Sequence, residues 1–299
     1  MFATNWKSRF SLVALIAVVA LAGCGDDDSG SSGQEGKGDA PKVSRDDKVA
    51  ALVPAAVKEK GTLTVATDAT YAPMEFQRPG TKDIVGMDPD LAKALGTTMG
   101  LKMNVVNATF DAILPGLQAK KYDLAMSSMT DNAEREKVVD FVTYFSAGTS
   151  FYVKAQGGPA INTIEDICGR TLAIQKGTIQ VDDAEAQNKK CDEKAKILTF
   201  TEQTAANLAL SSDRAEVGMA DSPVAAYQVR QTKGQFKLSG KPYGTAPYGI
   251  AIPKDSGMEK ALLAGVKALM ANGAYDAILK RWGLTQGAID NPQINGAID

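Results

Sequence analysis

Apolar residues that alternate with polar ones, or run together in short blocks, predict that strands and helices follow each other along the chain. Strands are expected at residues 62–66, 101–106 and 122–126. Residues 90–99 and 110–120 lie between them and have their apolar side chains at helical spacing. Strands that alternate with helices of this length predict a mostly parallel sheet.

The same alternation starts again in the second half of the chain. The predicted strands there cover residues 171–174, 197–200, 217–220 and 249–252. The predicted helices begin at Gly177, cover residues 204–211, begin again at Pro223, and cover residues 258–270 and 274–282. A second α/β unit is therefore predicted inside the chain.

The N-terminus has the pattern of an export signal. Lys7 and Arg9 precede an apolar run, residues 11–22, which is too short to span a bilayer comfortably as a helix. The run ends in Leu21-Ala-Gly-Cys24, which resembles a bacterial lipobox. The resemblance implies removal of residues 1–23 as a signal peptide and acylation of Cys24. A plain secretory signal and an uncleaved anchor are the alternatives.

Residues 24–47 are expected to form a flexible, lipidated linker. Most of this segment is rich in Gly, Ser and Asp and lacks apolar periodicity, which is typical of a solvated spacer. The folded part is predicted to begin near Lys48, with a short helix that Pro54 interrupts.

Length and composition narrow the classes of function. A chain of 299 residues suits about two domains, and 44% hydrophobic with 23% charged residues is ordinary for a globular protein. A net charge of −2 gives no basic surface for nucleic acid. The absence of histidine excludes histidine-based catalysis and imidazole ligands, and the three cysteines lack zinc-site spacing. No metal, cofactor or nucleic-acid partner is expected.

Residues 127–135 combine hydroxyl groups with a cation. Ser127, Ser128 and Thr130 follow a predicted strand, and residues 132–141 are predicted to be a helix. A helix N-terminus favours an anion, and Arg135 in its first turn can bind a carboxylate through two parallel hydrogen bonds. The alternative is that the hydroxyls are loop and cap residues and that Arg135 is solvated.

Five short motifs occur along the chain in one order. They are TDATYAPMEF (residues 67–76), GMDPDLAKAL (residues 86–95), MSSMTDNAER (residues 126–135), KGT (residues 176–178) and MAD (residues 219–221). Together they resemble the family 3 extracellular solute-binding proteins, amino-acid receptors of ATP-driven importers such as the histidine-, lysine/arginine/ornithine- and glutamine-binding proteins. Pro89 departs from the aliphatic residue usual at its position. The resemblance covers about residues 61–283.

The resemblance implies an α/β fold of the two-lobed, periplasmic-binding-protein-like kind, with a ligand cleft between the lobes. Lobe 1 would comprise residues 56–148 plus 246–299, and lobe 2 would be the inserted residues 149–245. Two hinge strands would join the lobes near residues 148–151 and 244–246. The second α/β unit read from the pattern agrees with this division.

The resemblance also implies a ligand set drawn from both lobes. Its members are Asp68, Tyr71, Phe110, Ser127, Ser128, Thr130, Arg135, Thr178, Ile179 and Asp221. Arg135 would bind the carboxylate of an amino acid, and Thr178 with the Ile179 N–H would close on it. Asp221 would bind the ammonium, although alone it also suits a helix start. Tyr71 and Phe110 would flank Asp68, although either ring alone is more often core.

The expected function is that of an exported receptor, lipid-anchored to the outer face of the cytoplasmic membrane. As a monomer and not an enzyme, it would pass a free polar amino acid to the permease of an ABC importer. Asp68 would lack a partner beside an apolar ligand. Basic amino acids and glutamine are therefore ranked first, glutamate next and leucine-type ligands last.

Two other functions remain as alternatives. One is a dehydratase of the prephenate or arogenate type on the same scaffold, which would need a general acid such as Asp68. The other is a sensory domain, which would need a transmembrane helix and a signalling domain.

The predicted export bears on how the cysteines pair. Export favours pairing of Cys168 with Cys191, because acylation of Cys24 leaves an even number. Two free thiols are the alternative.

Overall fold

The computed structural model describes residues 36–298. The predicted signal peptide, Cys24 and the first half of the predicted linker lie outside these residues. The α-helices of the described part are α1 (Asp47–Ala51), α2 (Ala55–Lys60), α3 (Met87–Met99), α4 (Phe110–Gln118), α5 (Ala133–Glu136), α6 (Ile179–Asn188), α7 (Gln203–Ser211), α8 (Ser222–Gln231), α9 (Glu259–Ala271) and α10 (Ala274–Trp282). Its strands are β1 (Thr62–Thr67), β2 (Thr70–Tyr71), β3 (Glu75–Gln77), β4 (Ile84–Val85), β5 (Lys102–Asn107), β6 (Leu124–Ala125), β7 (Val139–Lys154), β8 (Thr171–Gln175), β9 (Lys196–Phe200), β10 (Val217–Asp221) and β11 (Phe236–Pro253).

Eight strands form one mixed sheet in the order β5-β1-β6-β11-β7-β10-β8-β9. The two flanks, β5-β1-β6 and β10-β8-β9, are parallel. The long strands β7 and β11 pair antiparallel between them, from Phe236↔Lys154 to Pro253↔Val139. The prediction of a mostly parallel sheet is therefore correct for the flanks and wrong for the centre, where two long strands carry the chain from one half to the other.

The predicted helix over residues 132–141 is wrong beyond its first turn. Helix α5 has four residues, and β7 begins at Val139. From Val139 to Phe145 the sequence is dominated by β-branched and aromatic residues, which favour a strand, and most of these side chains are buried. The helix is therefore too short for a substantial macrodipole. Its N-terminus consequently attracts an anion much less than the predicted longer helix would.

Most other predicted elements are confirmed with small changes at their ends. Helix α3 begins at Met87 instead of residue 90, and two short strands, in which Thr70–Tyr71 pair with Glu75–Phe76, lie between β1 and α3. Gly100 ends α3 in a left-handed conformation that glycine adopts without strain. The predicted strand at residues 249–252 is the end of β11.

The first half of the sheet is covered by helices that bury a common apolar face. Leu91 and Leu95 of α3 belong to the same buried cluster as Leu262, Val266 and Leu269 of α9. Their spacing of three and four residues places them on one side of each helix. This cluster holds β1, β6 and β11 in place and so fixes the strand ends from which the pocket described below is built.

The second half has its own buried cluster, which includes Phe151, Leu172 and Met219. A disulfide links Cys168 to Cys191, with Cα atoms 5.4 Å apart, and fixes the end of α6 to the start of β8. The predicted pairing of the two cysteines is therefore present. A cross-link over a loop of this size contributes about 3 kcal/mol in the chain-entropy model.

None of the helices within residues 36–298 has by itself the length and hydropathy of a membrane span. Helices α9 and α10 reach that length and hydropathy only when taken together, and they are bent by 78° at their junction.

Candidate functional site

Four strand ends and the loops after them meet around one pocket. Asp68 follows β1, residues 126–130 follow β6, Gln175 ends β8 and Asp221 ends β10. Carboxyl ends of parallel strands are the usual ligand-binding edge of an α/β sheet. The pocket is lined by Asp68, Tyr71, Glu75, Phe110, Ser128, Thr130, Arg135, Gln175, Thr178, Ile179, Gln180 and Asp221.

Arg135 is the cation of this lining. Its guanidinium donates to Thr130 O at 2.9 Å and to Gly177 O at 3.1 Å, and it lies 5.5 Å from the centre of the Phe110 ring. Burial lowers the pKa of Arg135, and the Asp221 carboxylate acts in the opposite direction. A guanidinium stays charged at neutral pH and has five N–H donors, so donors remain for an anionic group in the pocket.

Asp221 is a buried acid in the same pocket. Its Oδ1 accepts a hydrogen bond from Gln180 Nε2 at 2.7 Å, and its backbone N–H donates to Tyr71 Oη at 3.2 Å. Burial raises the pKa of Asp221, while hydrogen bonds and Arg135 oppose the shift. The carboxylate therefore has a neutral amide as a partner, and a ligand ammonium would add the opposite charge.

Asp68 is held by three donors of the protein. Thr70 Oγ1 donates at 2.6 Å, the Phe110 N–H at 2.9 Å and Gln175 Nε2 at 2.8 Å. Burial raises the pKa of Asp68 and these hydrogen bonds oppose the shift. The argument that an apolar ligand would leave Asp68 without a partner is therefore wrong: its lone pairs are largely satisfied, and only its charge is not neutralised.

Ser127 and Ser128 point into a buried acidic pair below the pocket. Their hydroxyls donate to Glu75 at 3.2 and 3.1 Å, and the Ser128 N–H donates to Asp88 Oδ2 at 2.8 Å. Ser128 adopts φ +49°, an uncommon conformation for a side-chain-bearing residue that aims this N–H at Asp88. Ser128 lines the pocket, whereas Ser127 supports it from below and also accepts from the Asp68 N–H at 2.9 Å.

The Glu75 and Asp88 carboxyls share this buried environment. Burial raises the pKa of Glu75 well above its ordinary value, and the neighbouring Asp88 raises it further. Burial also raises the pKa of Asp88 to about 6, against donors that include Ser128 and Tyr144. Burial and the repulsion between two neighbouring carboxylates therefore favour a proton shared by the pair over ionisation of both groups.

Polar contacts join the two halves of the chain across the pocket. Lys176 Nζ lies 2.8 Å from Asp111 Oδ2 at the mouth, and Gln175 reaches Asp68 inside. Gly177 has φ +80°, and a Cβ there would lie 3.0 Å from Asp111 Cβ. Glycine is needed at this position for both its conformation and the close approach.

The remaining predicted residues also lie at the pocket. Tyr71, Phe110, Thr130 and Ile179 line it, and Thr178 lines it while its hydroxyl donates to Gln175 O at 2.8 Å. Of the ten residues predicted, the structure thus brings nine into the lining and places Ser127 behind it.

Three lining residues were missed: Glu75, Gln175 and Gln180. Glu75 lies inside the first motif, Gln175 is the last residue of β8, and Gln180 follows the Lys176-Gly-Thr motif. A polar residue at the carboxyl end of a predicted buried strand was the available signal for Gln175. Within residues 36–298, no group of three or more acidic or cysteine side chains is arranged to hold a metal ion.

Comparison with known proteins gives consistent matches over most of the chain. Residues 63–285 match the family model of the bacterial extracellular solute-binding proteins, family 3. The arginine-binding protein ArgT of Corynebacterium glutamicum is 32% identical over 253 residues, which cover 83% of each chain. The ABC transporter glutamine-binding protein GlnH of Bacillus subtilis is 32% identical over 287 residues, covering 92% of this chain and 97% of its own.

A solved structure matches over the same region. An ancestral arginine-binding protein bound to arginine superimposes with a TM-score of 0.71 at 33% identity. The match covers 74% of this chain and 98% of that one.

The acidic pair predicts an unusual dependence of stability on pH. Because the pKa values of Glu75 and Asp88 are raised, the folded chain binds more protons than the unfolded chain above about pH 4. The contribution of the pair to the free energy of unfolding should therefore be largest in acid and should fall as the pH rises through about 6 and above.

Glu75→Gln keeps a neutral hydrogen-bonding group and should lessen this fall. Urea unfolding of the parent and of the variant at several values between about pH 5 and about pH 8 measures the difference. Glu59→Gln, at an exposed position of α2, is the control and should follow the parent. Equal pH slopes for the parent and Glu75→Gln would contradict the shared-proton interpretation.

Proposed function

The chain belongs to the bacterial extracellular solute-binding proteins of family 3, and from this we propose that its pocket binds a free cationic amino acid, with arginine first. The predicted family resemblance and the two-lobed α/β fold are confirmed by the matches to amino-acid-binding proteins. The function is that of the extracytoplasmic binding component of an ABC importer for polar amino acids.

We propose the lobe boundaries that the family resemblance implies, and the irregular part of the long strand pair supports them. We place the changes of lobe between residues 148 and 149 and between residues 245 and 246. The β7–β11 register shifts between Ser239 and Tyr243, and again between Tyr243 and Ala246. Bulges weaken a ladder locally and let strands bend, which is what a hinge requires.

Recognition of the amino-acid backbone rests on two opposite charges from different lobes. Arg135 comes from lobe 1 and would bind the ligand carboxylate, with the Thr130 region and Thr178 around it. Asp221 comes from lobe 2 and would bind the ligand ammonium. Neither lobe alone matches a zwitterion, so the ligand gains most in the closed form, as a closure equilibrium requires.

The charge of the pocket lining is the observation that favours a cationic side chain on the ligand. The described residues around the pocket include the acids Asp68, Glu75 and Asp221 and one cation, Arg135. With Glu75 protonated, a zwitterion uses the charges of Arg135 and Asp221 and leaves Asp68 unbalanced. A guanidinium or ammonium side chain would neutralise it, and the Phe110 ring could stack on the group or its stem. Glutamine could donate a hydrogen bond to Asp68 but would leave its charge.

Export and anchoring follow from the N-terminal pattern. Members of this family are extracellular, and we propose that the mature chain begins at an acylated Cys24 and is held at the outer face of the cytoplasmic membrane. The partner there would be the membrane permease of an importer, contacted by a monomer. The Gly/Ser/Asp-rich segment after Cys24 would act as the spacer.

We propose that the pocket binds its ligand and does not catalyse a reaction. Asp68, the candidate general acid of a prephenate- or arogenate-type dehydratase, is occupied by Thr70, Phe110 and Gln175. Incubation of the purified protein with prephenate should therefore give no product. Turnover would favour the enzyme.

Calorimetry against a panel of amino acids tests the ligand class. Arginine should bind most tightly, followed by lysine and ornithine, then histidine and glutamine, with leucine weakest. Asp68→Asn removes the unbalanced charge. It should lower the affinity for arginine about tenfold or more and lower the affinity for glutamine less. Tight binding of leucine, or unchanged arginine binding by Asp68→Asn, would show that Asp68 does not select the side chain.

Arg135→Ala should abolish measurable binding of every amino acid in the panel. Removal of one member of a desolvated charge pair costs roughly 2–5 kcal/mol, or about thirty- to several-thousand-fold in affinity. Asp221→Asn should act similarly through the ammonium. Lys82→Ala, at an exposed position outside the pocket lining, is the control for loss of a surface cation. Binding within about threefold of the parent in either site variant would refute the zwitterion model.

Cys24→Ser tests the anchor. The parent should fractionate with membranes and carry an acylated N-terminal cysteine in its mass spectrum. The variant should stay unprocessed or be released. A processed variant that remains on the membrane would rule out anchoring through Cys24.

A further inference from the structure

The last described residues are packed against the fold although they lie beyond the part that matches the family model. That match ends at residue 285. The Ile289 N–H donates to Tyr275 Oη at 3.0 Å, and Gln293 and Thr143 exchange two hydrogen bonds of 2.8 and 2.9 Å. The C-terminal segment, residues 293–297, is therefore an ordered part of lobe 1.

This segment runs along the start of β7. Val142 and Ile294 form an antiparallel bridge. The Asn295 N–H donates to Phe141 O at 3.0 Å, and Asn295 Oδ1 accepts from the Phe141 N–H at 2.8 Å. The segment thus covers the edge of β7 next to helix α5, which carries Arg135, through one isolated bridge and the hydrogen bonds of Asn295.

The segment then ends on two acids that flank Arg135 in the sequence. The Gly296 N–H donates to Asp131 Oδ2 at 2.8 Å, and the Ala297 N–H donates to Glu136 Oε1 at 3.1 Å. Asp131 precedes the turn of α5 and Glu136 ends it. Two adjacent backbone donors therefore hold the helix that carries Arg135 at both of its ends.

Helix α5 depends on such external support. It has four residues, and a single turn is not stable in isolation. Asn132 caps it by accepting from the Arg135 N–H at 2.9 Å. Asp131 is 1% exposed, and burial together with the neighbouring Glu136 carboxyl group raises its pKa to about 7. Without Gly296 this buried carboxyl group would lose its backbone hydrogen bond from the segment, which is costly.

We propose that the C-terminal segment is a positioning clamp for Arg135. By holding Asp131 and Glu136, it fixes the single turn from which the guanidinium reaches Thr130 O and the pocket. Binding groups need support that holds them to within a fraction of an ångström. The inference rests on the proposed role of Arg135 in binding the ligand carboxylate, and it assigns the residues that keep Arg135 in place.

Three variants distinguish a loss of Arg135 positioning from a loss of overall stability. A chain that ends at Pro292 removes the whole segment. Ala297→Pro removes the one N–H that donates to Glu136 and leaves the bridge to β7. Ile298→Pro introduces the same ring one residue later, where the N–H has no acceptor within the described chain, and is the matched control. Thermal unfolding confirms that each variant is folded at the temperature of measurement.

The affinity for arginine is the first measurement. The chain ending at Pro292 should bind about tenfold more weakly and Ala297→Pro a few-fold more weakly, whereas Ile298→Pro should equal the parent. In an Arg135→Lys background, whose flexible ammonium depends less on a fixed turn, truncation should have a smaller effect. Equal affinities for the parent and both clamp variants, or the same loss in the Arg135→Lys background, would overturn the proposal.

Amide hydrogen exchange gives a second measurement that needs no ligand. Truncation should accelerate exchange at Arg135, Glu136 and Val138, whose N–H groups bond within the turn, while β1 and β5 keep their protection. If the parent binds no amino acid, the proposed function fails, and this exchange result still decides whether the segment holds the turn. Unchanged exchange across the turn would refute the clamp.

Discussion

The burial of unequal numbers of acids and cations is the constraint on which the rest of this site depends. A buried carboxylate needs donors in every state of the protein, whether or not a ligand is present. The protein supplies neutral donors from the same half of the chain: Thr70 and the Phe110 N–H for Asp68, and Gln180 for Asp221. Such donors satisfy the lone pairs and leave the charge, which under the proposed function would favour a cationic ligand.

Under the proposed function, contacts made by neutral groups would also let the two lobes close reversibly. The contacts across the pocket are a few polar ones: Gln175 to Asp68, Arg135 to Gly177 O, and Lys176 to Asp111. Water can replace such partners when the lobes separate, whereas a broad apolar interface would resist opening. Under the proposed function, the ligand would add the charge pairs that these contacts lack, and this differential affinity would shift the population towards the closed form.

The sequence predicted the parts of this arrangement that depend on local pattern. Both α/β units and the order of their elements came from periodicity, whereas most of the lining came from the family resemblance of five short motifs. The long strand β7 was missed at its start because Val138 and Val139 follow a capped turn, and a turn and a longer helix begin with the same signals. Its pairing with β11, about a hundred residues away, left no trace in either segment alone.

The lining residues that the sequence analysis missed were missed for the same reason. Gln175 matters because it meets Asp68 from the other half of the chain, and Glu75 because Ser127 and Ser128 cover it. Neither contact follows from the spacing of residues in the sequence. The argument that Asp68 would lack a partner failed for this reason: it counted the ligand as the only source of donors, whereas tertiary structure supplied three.

The two opposite charges are held by structures of different strength, and this has a consequence for closure. Asp221 ends a strand that is paired on both sides, with β7 and with β8. Arg135 lies on a single turn, which is the weaker support, and its guanidinium also bridges to Gly177 of the other lobe. Any freedom in that turn would spread the guanidinium over several positions and lower its affinity for a carboxylate. A site that closes on a rigid zwitterion therefore requires its weaker element to be braced from its own lobe, because a contact that forms only on closure cannot pre-organise the open form.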